Sequence, residues 1–298
     1  MDIKTLCPIC ETFDNTSVVY KSNFSKATFN EEIFSARRLP DRQHYQWVRC
    51  TSCSLLRSDP IWDQNLKELY TGSTFDYGGE IEGLKRTYLK LLINACGNRI
   101  PKSVLEIGGG NGFFLEAVRT LGDIKILGIE PSQDAINKAH PDIRPFLVQD
   151  VMSPEIVPHN SFEVCAMFHT LDHLPDPIAV LKSCIESLSP GGVLIVAVHN
   201  EKAFSAKILG EKSPIFDVEH THLYSKTTAE LLFQKLGLHR IKVNSYRNHY
   251  SLAYILHLMP ISRKVRASIL SSSFGKLLSK IRVNLPLGNI VISGVKHG

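Results

Sequence analysis

The sequence lacks the long apolar segments that membrane-spanning proteins carry. No hydrophobic run among its 298 residues approaches the roughly twenty residues that cross a bilayer as a helix. The opening segment 1–4 leads directly to a cysteine pair and shows neither the basic region nor the apolar core of a secretory signal peptide. We therefore expect a cytoplasmic protein without a transmembrane segment.

The chain also lacks a strong net charge. Its 34 Lys and Arg residues face 29 Asp and Glu residues, which gives a formal net charge of +5. This balance tolerates an anionic small-molecule partner but falls short of the dense basic stripe of a nucleic-acid binder, so nucleic acid is not the expected partner. With 298 residues, of which 43% are apolar and 21% charged, the chain has the composition of an ordinary globular protein and room for one large α/β domain and a small accessory domain.

The third glycine of the dinucleotide-binding pattern G-x-G-x-x-G is missing. An apolar run at 104–107 is followed by the pattern G-x-G-x-G at 108–112, and Phe113 occupies the position of the missing glycine. This order predicts a strand, a glycine turn close to a ligand, and a helix. Glu130, about twenty residues further on, is placed to accept hydrogen bonds from ribose hydroxyls. A nucleotide-type site is the prediction, and a turn with glycines for packing only is the alternative.

Further apolar segments follow in the order of an α/β domain. In chain order they are a short stretch ending at Asp150, a buried strand over 162–169, a loop over 172–177, a turn over 188–192, a strand over 193–198, a helix over 227–236 with Gly237 as its stop, and strands over 238–243 and 289–295. Because several of these runs are apolar without interruption, we expect strands that are buried on both faces of one sheet.

From residue 101 to about 245, these motifs together resemble the class I S-adenosylmethionine-dependent methyltransferases. The resemblance implies a doubly wound, Rossmann-like α/β sheet of seven strands over residues 80–298, with S-adenosylmethionine as cofactor. The loop 172–177 departs from the family's "EHLPDP" because Asp172 stands where glutamate is usual. By position in the motifs, the implied cofactor-binding residues are Glu106, Gly108, Gly110, Gly112, Glu130, Pro131, Asp150, Phe168 and His169.

Two C-x-x-C pairs mark the amino-terminal part. Cys7 with Cys10 and Cys50 with Cys53 supply four thiolates, which is the ligand set of a structural zinc ion. Two disulfides and two independent redox pairs are the alternatives, and a reducing cytoplasm argues against disulfides. We predict a zinc-binding module over residues 1–70. Three further cysteines stand singly in apolar surroundings and are expected in the core: Cys96, Cys165 and Cys184.

This module in front of the larger domain is similar to the start of bacterial sugar C-methyltransferases and of methyltransferases in surface-glycan and antibiotic-sugar pathways. The resemblance implies a nucleotide-linked, lipid-linked or other carrier-linked sugar as acceptor, methylated on carbon or oxygen. Ser54 replaces the glycine of the family's "C..CG", and a third, carboxyl-terminal domain of the longer members is absent from this chain. The second of these departures concerns the substrate.

The segment 246–287 separates the last two predicted strands and is too long for a turn. Its apolar and basic residues recur at helical spacing, which predicts an amphipathic helical insertion. We favour a cap that packs on the sheet or on a partner subunit. Peripheral contact with a membrane surface or a lipid-linked substrate is the alternative.

Histidines around residues 169–173 and 219–224 are the candidates for acid–base chemistry. His220 is the predicted general base, Glu219 would stabilise its protonated form, and His222 and Tyr224 would donate to the developing oxyanion. The resemblance to sugar C-methyltransferases supports the Glu–His pair and would place His173 and Tyr77 beside the acceptor. The stretch 169–173 superficially resembles H-x-x-E-H, but a strand end and loop lack the helix of that metal site.

Two other functions stay open. One is an RNA methyltransferase whose zinc module grips RNA, although no N-P-P-Y tetrapeptide or Pro-Cys nucleophile is present. The other is a catalytically silent scaffold, which has no physical reason to keep the acidic and glycine residues of the nucleotide-type site. The favoured prediction is methyl transfer to a small-molecule acceptor.

Overall fold

The computed structural model describes residues 2–23, 43–62, 66–71, 73, 76, 78–259 and 261–298. Within these ranges the strands are β1 (Asp2–Ile3), β2 (Thr16–Tyr20), β3 (Trp47–Cys50), β4 (Leu56–Ser58), β5 (Ile61–Trp62), β6 (Ser103–Ile107), β7 (Lys125–Ile129), β8 (Leu147–Val148), β9 (Phe162–Phe168), β10 (Leu188–His199), β11 (His222–Leu223), β12 (His239–Ser251) and β13 (Arg282–Val295). The helices are α1 (Leu66–Thr71), α2 (Ile81–Ala95), α3 (Phe113–Arg119), α4 (Gln133–Asn137), α5 (Pro177–Ser187), α6 (Phe204–Leu209), α7 (Lys226–Lys235), α8 (Leu252–Leu258), α9 (Arg263–Ser271) and α10 (Ser273–Lys280).

The central sheet has seven strands in the order β8-β7-β6-β9-β10-β13-β12. The strands from β8 to β10 are parallel, whereas β13 runs antiparallel to both β10 and β12. The predicted seven-stranded α/β sheet is therefore confirmed. Parallel strands end at the same edge of the sheet, so the segments after β6, β7, β9 and β10 converge there.

Both faces of the sheet are covered. In β9, Cys165 and Met167 belong to a core that includes residues of α5 and α7, while Val164 and Ala166 belong to a core that includes residues of α2 and α3. Burial on both faces explains why the strand sequences are apolar without alternation. The three single cysteines are buried, as predicted: Cys96, Cys165 and Cys184.

A second sheet has the strand order β11-β4-β3-β2. Its β2, β3 and β4 come from the amino-terminal part, but β11 follows β10 in the chain. The pairing is antiparallel and places His222 opposite Arg57 and Leu223 opposite Leu56. Arg57 is fully buried and donates to the carbonyl oxygens of Thr5 and Phe13. The amino-terminal sheet therefore incorporates a segment that the sequence analysis assigned to the other domain.

The insertion before the last strand is helical, but its bounds differ from the predicted 246–287. The helices α8, α9 and α10 occupy 252–280, because β12 continues to Ser251 and β13 begins at Arg282. The extra strand residues pair with each other, for example Tyr250 with Val283, and a register shift lies between Tyr246 and Asn248. Among the described residues, no helix combines the length and the apolar character needed to cross a membrane.

Gly128 lies where β7 packs closely against neighbouring side chains. A Cβ atom at this position would lie 2.5 Å from Cδ2 of Leu147 and 2.9 Å from Cδ1 of Leu115. We expect Gly128→Ala to lower the free energy of unfolding by about 1–3 kcal/mol through overpacking, measured by urea denaturation. Gly79→Ala is the control, since its Cβ would approach only Nη2 of Arg282, at 3.8 Å. Equal stability of the two variants would contradict this interpretation of the contact.

Candidate active site

The glycine turn after β6 requires glycine for two reasons. Gly108, Gly110 and Gly112 have φ values of 71°, 54° and 72°, in the left-handed region that L side chains rarely adopt. In addition, a Cβ on Gly108 would overlap the Thr170 side chain, and one on Gly112 would lie 2.6 Å from Cγ2 of Ile143. The turn thus packs closely against other loops and brings backbone to the end of the sheet, where α3 begins.

Glu130 lies beside this turn at the end of β7. Its Oε2 accepts a hydrogen bond from the Gly110 N–H at 2.8 Å, and its Oε1 accepts one from the Ser132 N–H at 2.8 Å. Burial raises the pKa of Glu130, and the two backbone hydrogen bonds partly oppose that rise. The two backbone hydrogen bonds therefore fix the carboxylate beside the glycine turn. Its contact with ribose hydroxyls stays a prediction.

Glu106 lies within β6, also buried. Its Oε2 has no hydrogen-bond partner among the described residues, and burial, followed by repulsion from Glu130, raises the pKa of Glu106 well above its usual value. A buried carboxyl oxygen without a partner is costly unless a ligand satisfies it. Two acidic groups around a glycine turn fit a nucleoside ligand that carries positive charge, and S-adenosylmethionine is such a ligand.

The other predicted cofactor residues surround the same edge. Asp150 follows β8, and its Oδ1 accepts from the N–H of Val151 at 2.8 Å, while Pro131 directly follows Glu130. The ring of Phe168 stacks on Tyr88 at a centroid distance of 4.0 Å. His169 has a φ of 54°, and its Nε2 lies 2.9 Å from the Tyr246 hydroxyl.

Four imidazoles gather around the fully buried Asp172 at the carboxyl ends of β9 and β10. The ring centroids of His169 and His199 are 4.6 Å apart, those of His199 and His220 are 4.9 Å apart, and those of His220 and His173 are 4.8 Å apart. We call these five residues the imidazole cluster. His169, Asp172, His173 and His220 stand out in the sequence, whereas His199, the last residue of β10, was not predicted as a member of the site.

Asp172 and His199 form the closest contact of the imidazole cluster. Nδ1 of His199 lies 2.6 Å from Oδ2 of Asp172, and the backbone N–H of His199 donates to the same oxygen at 3.4 Å. Burial alone would raise the pKa of Asp172. The attraction of His199, its hydrogen bond, and the nearby His173 and His220 offset that effect and hold the pKa well below its usual value. Asp172 is therefore a buried carboxylate with a histidine partner.

His220, the predicted base, is buried and its Nδ1 lies 2.8 Å from the carbonyl oxygen of Ile215. Burial, followed by repulsion from His173 and His199, holds the pKa of His220 well below its usual value. Its predicted partner Glu219 lies against His173 instead, with Oε2 3.6 Å from Nδ1. The Tyr70 hydroxyl is 3.0 Å from the same Nδ1. Tyr77, which was predicted to lie beside the acceptor together with His173, falls outside the described residues.

His222 and Tyr224 are fully buried. Nδ1 of His222 lies 3.1 Å from the Leu174 carbonyl oxygen, and burial lowers the pKa of His222 to about 4. The Tyr224 hydroxyl has no hydrogen-bond partner among the described residues, and its ring packs in the same core as Cys7. Both residues thus lie towards the amino-terminal sheet, and a role for them as donors to an oxyanion stays a prediction.

The amino-terminal sheet fixes the segment that carries His220. The Ser58 hydroxyl donates to the His220 carbonyl oxygen at 3.0 Å, and the Ser58 N–H donates to the Thr221 carbonyl oxygen at 2.9 Å. On its other side, the Thr221 N–H donates to the Asp172 carbonyl oxygen at 2.8 Å. Three hydrogen bonds thus connect β4 to the imidazole cluster.

The four amino-terminal cysteines converge without forming disulfides. Sγ of Cys7 is 3.5 Å from Sγ of Cys53, and Sγ of Cys50 is 3.8 Å from Sγ of Cys10. Four sulfurs at about 2.3 Å from one tetrahedral zinc ion would lie about 3.8 Å apart, so the set fits such an ion. Ser54, where the resembling family has glycine, has a φ of 68°, which explains the family's preference at this position.

Two further groups in the imidazole cluster have ligand atoms close enough for one cation. They are His169, Asp172 and His199, and Asp172, His173 and His220; within each group the ligand atoms lie within 4.8 Å of one another. The sequence analysis did not predict a metal here. The hydrogen bond between Asp172 and His199 gives the cluster a chemistry that needs no metal, namely proton transfer.

Comparisons with known proteins show the family to which this part of the chain belongs. A family model described as a methyltransferase domain matches residues 81–243, which include the glycine turn, Glu130 and the whole imidazole cluster. The chain is 29% identical over 143 residues to a ubiquinone biosynthesis O-methyltransferase of Psychrobacter arcticus, covering 44% of this chain and 55% of that protein. For the ubiquinone biosynthesis O-methyltransferase of Histophilus somni, identity is 27% over 187 residues, covering 58% of this chain and 78% of that protein.

The chain spans about half the length of the first curated relatives it matches, 55% and 51% in two of them. A solved structure of a SAM dependent methyltransferase from Archaeoglobus fulgidus has a TM-score of 0.49 and 20% identity, and covers 73% of this chain and 95% of that one. The family match extends over more than half of the sequence. The chain therefore belongs to this family of S-adenosylmethionine-dependent methyltransferases.

Proposed function

We propose that this protein transfers a methyl group from S-adenosylmethionine to a hydroxyl oxygen of a small-molecule acceptor. The hydrogen bond between Asp172 and His199 carries the proposal, because a hydroxyl becomes a good nucleophile when a base accepts its proton. The bond fixes Nδ1 of His199 as the donor towards Asp172 and leaves Nε2 as the nitrogen for the acceptor's proton. When bound, S-adenosylmethionine supplies the methyl group from its sulfonium and leaves as S-adenosylhomocysteine.

Asp172 has two tasks in this proposal. It orients the imidazole of His199 through the 2.6 Å hydrogen bond, and its negative charge stabilises the imidazolium that forms when His199 accepts the proton. His199 is about a quarter exposed, with a relative side-chain accessibility of 26%, so an acceptor can reach it. His220 is less suited to accept a proton, because its pKa is held well below the usual value. The prediction of His220 as base is tested below beside His199.

The relatives support oxygen as the methylated atom, since those named above are O-methyltransferases. They do not support a sugar acceptor, which stays a prediction from the amino-terminal cysteine pairs. Methylation of carbon and the RNA alternative likewise stay predictions. A small hydroxylated molecule is the acceptor class consistent with both the relatives and the imidazole cluster.

For the cofactor, we propose that Glu130 holds the ribose hydroxyls and that Glu106 faces the positively charged amino-acid end. The glycines at 108, 110 and 112 would allow close approach of backbone, and Asp150 would accept from the adenine amino group. Pro131, Phe168 and His169 would line the remaining surface. The unpartnered Oε2 of Glu106 supports this arrangement, because a cationic ligand would relieve its burial cost.

We further propose that Cys7, Cys10, Cys50 and Cys53 hold one structural zinc ion. The sulfur separations of 3.5 and 3.8 Å support tetrahedral coordination, and four protein ligands leave no open position for catalysis. Such an ion would stabilise the sheet to which β11 belongs and would act on the imidazole cluster only through that sheet.

Removal of the Glu130 carboxylate should weaken the cofactor site. We expect Glu130→Ala to reduce the affinity for S-adenosylhomocysteine by about 1.5–3 kcal/mol, the worth of charge-assisted hydrogen bonds, measured by calorimetric titration. Glu130→Gln should reduce this affinity by a smaller amount, because the amide keeps one acceptor oxygen. Asp123→Ala, at an exposed carboxylate, is the control. Unchanged affinity in Glu130→Ala, or tighter binding of NAD than of S-adenosylhomocysteine, would refute the assignment.

Loss of one thiolate should release the zinc. Purified protein should contain about one zinc ion per chain by elemental analysis. The Cys50→Ser variant should contain none, and hydrogen exchange should show faster exchange of the backbone amides in β3, β4 and β11. Cys96→Ser, at a buried cysteine outside the group, should keep the metal. Absence of zinc from freshly reduced wild-type protein would rule out this role.

Replacement of His199 should slow methyl transfer without affecting the cofactor. We expect His199→Asn to reduce turnover about 100- to 10,000-fold, the usual contribution of a positioned base, with affinity for S-adenosylhomocysteine close to wild type. Asp172→Asn should reduce turnover as well, because an amide can neither fix the imidazole tautomer nor stabilise the imidazolium. The measurement uses isotopically labelled S-adenosylmethionine with catechol and nucleotide sugars as acceptors.

Two comparisons complete that experiment. His220→Asn tests the base predicted from sequence, and His159→Asn controls for loss of an exposed histidine. A large loss in His220→Asn together with full turnover in His199→Asn would return the role of base to His220. A labelled methyl group found on carbon by magnetic resonance would contradict transfer to oxygen.

A further inference from the structure

Charge is segregated along the chain. All 29 acidic residues lie within residues 1–230, whereas residues 231–298 contain 11 of the 34 Lys and Arg residues and no acidic residue. The first part therefore has a formal net charge of −6 and the second part +11. Such an asymmetry within one protein indicates contact with an anionic surface, and the modest net charge of the whole chain conceals it.

The middle of this basic part also exposes an apolar helix face. Phe274, Leu277 and Ile281 recur at the spacing of one helix face, and their exposed fractions are 60%, 52% and 40%. They belong to α10 and its carboxyl-terminal cap. Lys276 and Lys280 lie on the same helix and are exposed. We call these five residues the α10 face. A helical apolar face normally packs on the core, so its exposure points to a partner.

The orientation of the α10 face is determined by close packing beneath it. A Cβ atom on Gly275 would overlap the carbonyl oxygens of Ile269 and Leu270 in α9, so α10 lies directly against α9 with its Gly275 side. Arg266 of α9 is buried and donates to the carbonyl oxygens of Met259 and Ile261, which ties α9 to the end of α8. The three helices thus present the apolar residues of α10 outwards.

We propose that the α10 face binds an anionic lipid surface. On a short helix, exposed apolar side chains can enter the boundary between headgroups and acyl chains, and lysines on the same helix are attracted to negatively charged headgroups. A second copy of this chain fits less well, because a twofold contact would bring two basic segments together. RNA fits less well too, because binding of single strands uses successive aromatic side chains as stacking surfaces, and Phe274 is the one aromatic residue among the five of the α10 face. The proposal is independent of the methyl acceptor.

Flotation of the full chain with lipid vesicles tests the proposal. The protein should bind vesicles of phosphatidylcholine mixed with phosphatidylglycerol at least about tenfold more strongly than vesicles of phosphatidylcholine alone, and rising salt should weaken the binding. Leu277→Asp and the double variant Lys276→Glu, Lys280→Glu should each reduce binding to the mixed vesicles by at least about tenfold. Circular dichroism and the affinity for S-adenosylhomocysteine should stay as in wild type.

Ile100→Asp and Lys102→Glu are matched controls on the acidic part of the chain, where Ile100 has an exposed fraction of 55%. They should bind vesicles like the wild type. Three results would overturn the proposal: no preference for the anionic vesicles, an equal loss in the controls and in Leu277→Asp, or a single-stranded RNA oligonucleotide that displaces the protein from vesicles. A dimer in light scattering that Leu277→Asp dissociates would assign the face to a second copy instead.

Discussion

A carboxylate without access to solvent is the constraint on which the imidazole cluster depends. Burial of a negative charge is costly unless partners compensate it, and Asp172 finds them in segments far apart in the chain. Its side chain accepts from His199 at the end of β10, and its carbonyl oxygen accepts from Thr221 in the segment before α7. Asp172 therefore fixes His199 directly and, through Thr221, the segment that carries His220.

In the glycine turn after β6, the residue types depend on how closely the backbone approaches neighbouring side chains, and not on compensation of a buried charge. Gly108 and Gly112 have no room for a Cβ atom, and Glu130 is held by the backbone N–H of Gly110 in the turn and by that of Ser132. Both carboxylate oxygens of Glu130 thus accept hydrogen bonds within the protein. Oε2 of Glu106, by contrast, has no hydrogen-bond partner among the described residues. Rigid backbone and a buried acid with one unsatisfied oxygen are the features that support the proposed cofactor site.

Local chemistry explains which features the sequence predicts correctly. The strand, glycine turn and helix at 104–119 are neighbours in sequence, and the left-handed φ values require glycine there. The helix α7 was predicted within one residue of its bounds from the spacing of its leucines and from Gly237 as its stop. In the structure, a capping box of Ser225 and Thr228 fixes its first turn. The C-x-x-C spacing likewise brings two sulfurs together within each turn, so convergence of the two pairs was foreseeable.

Long-range contacts explain what the sequence analysis missed. His199 is the last residue of β10, and His169 directly follows β9. This shared position at the ends of parallel strands was the signal in the sequence that could have identified His199. Nothing in the local sequence shows that Asp172 lies beside both histidines. The pairing of Glu219 with His173 rather than with its neighbour His220 likewise depends on tertiary packing. The bounds of the insertion were wrong because the polar residues 246–251 do not resemble a buried strand, and only pairing with β13 makes them one.

The pairing of β4 with β11 has a consequence for the order in which the chain can fold. Ser58 and His220 are 162 residues apart in sequence, so the amino-terminal sheet cannot acquire its edge strand until most of the polypeptide has been synthesised. Contacts of such large sequence separation form late and slowly. Until then, β4 has an open edge. An exchange of the amino-terminal segment between relatives would have to carry residues 215–224 with it, because the two segments form one sheet.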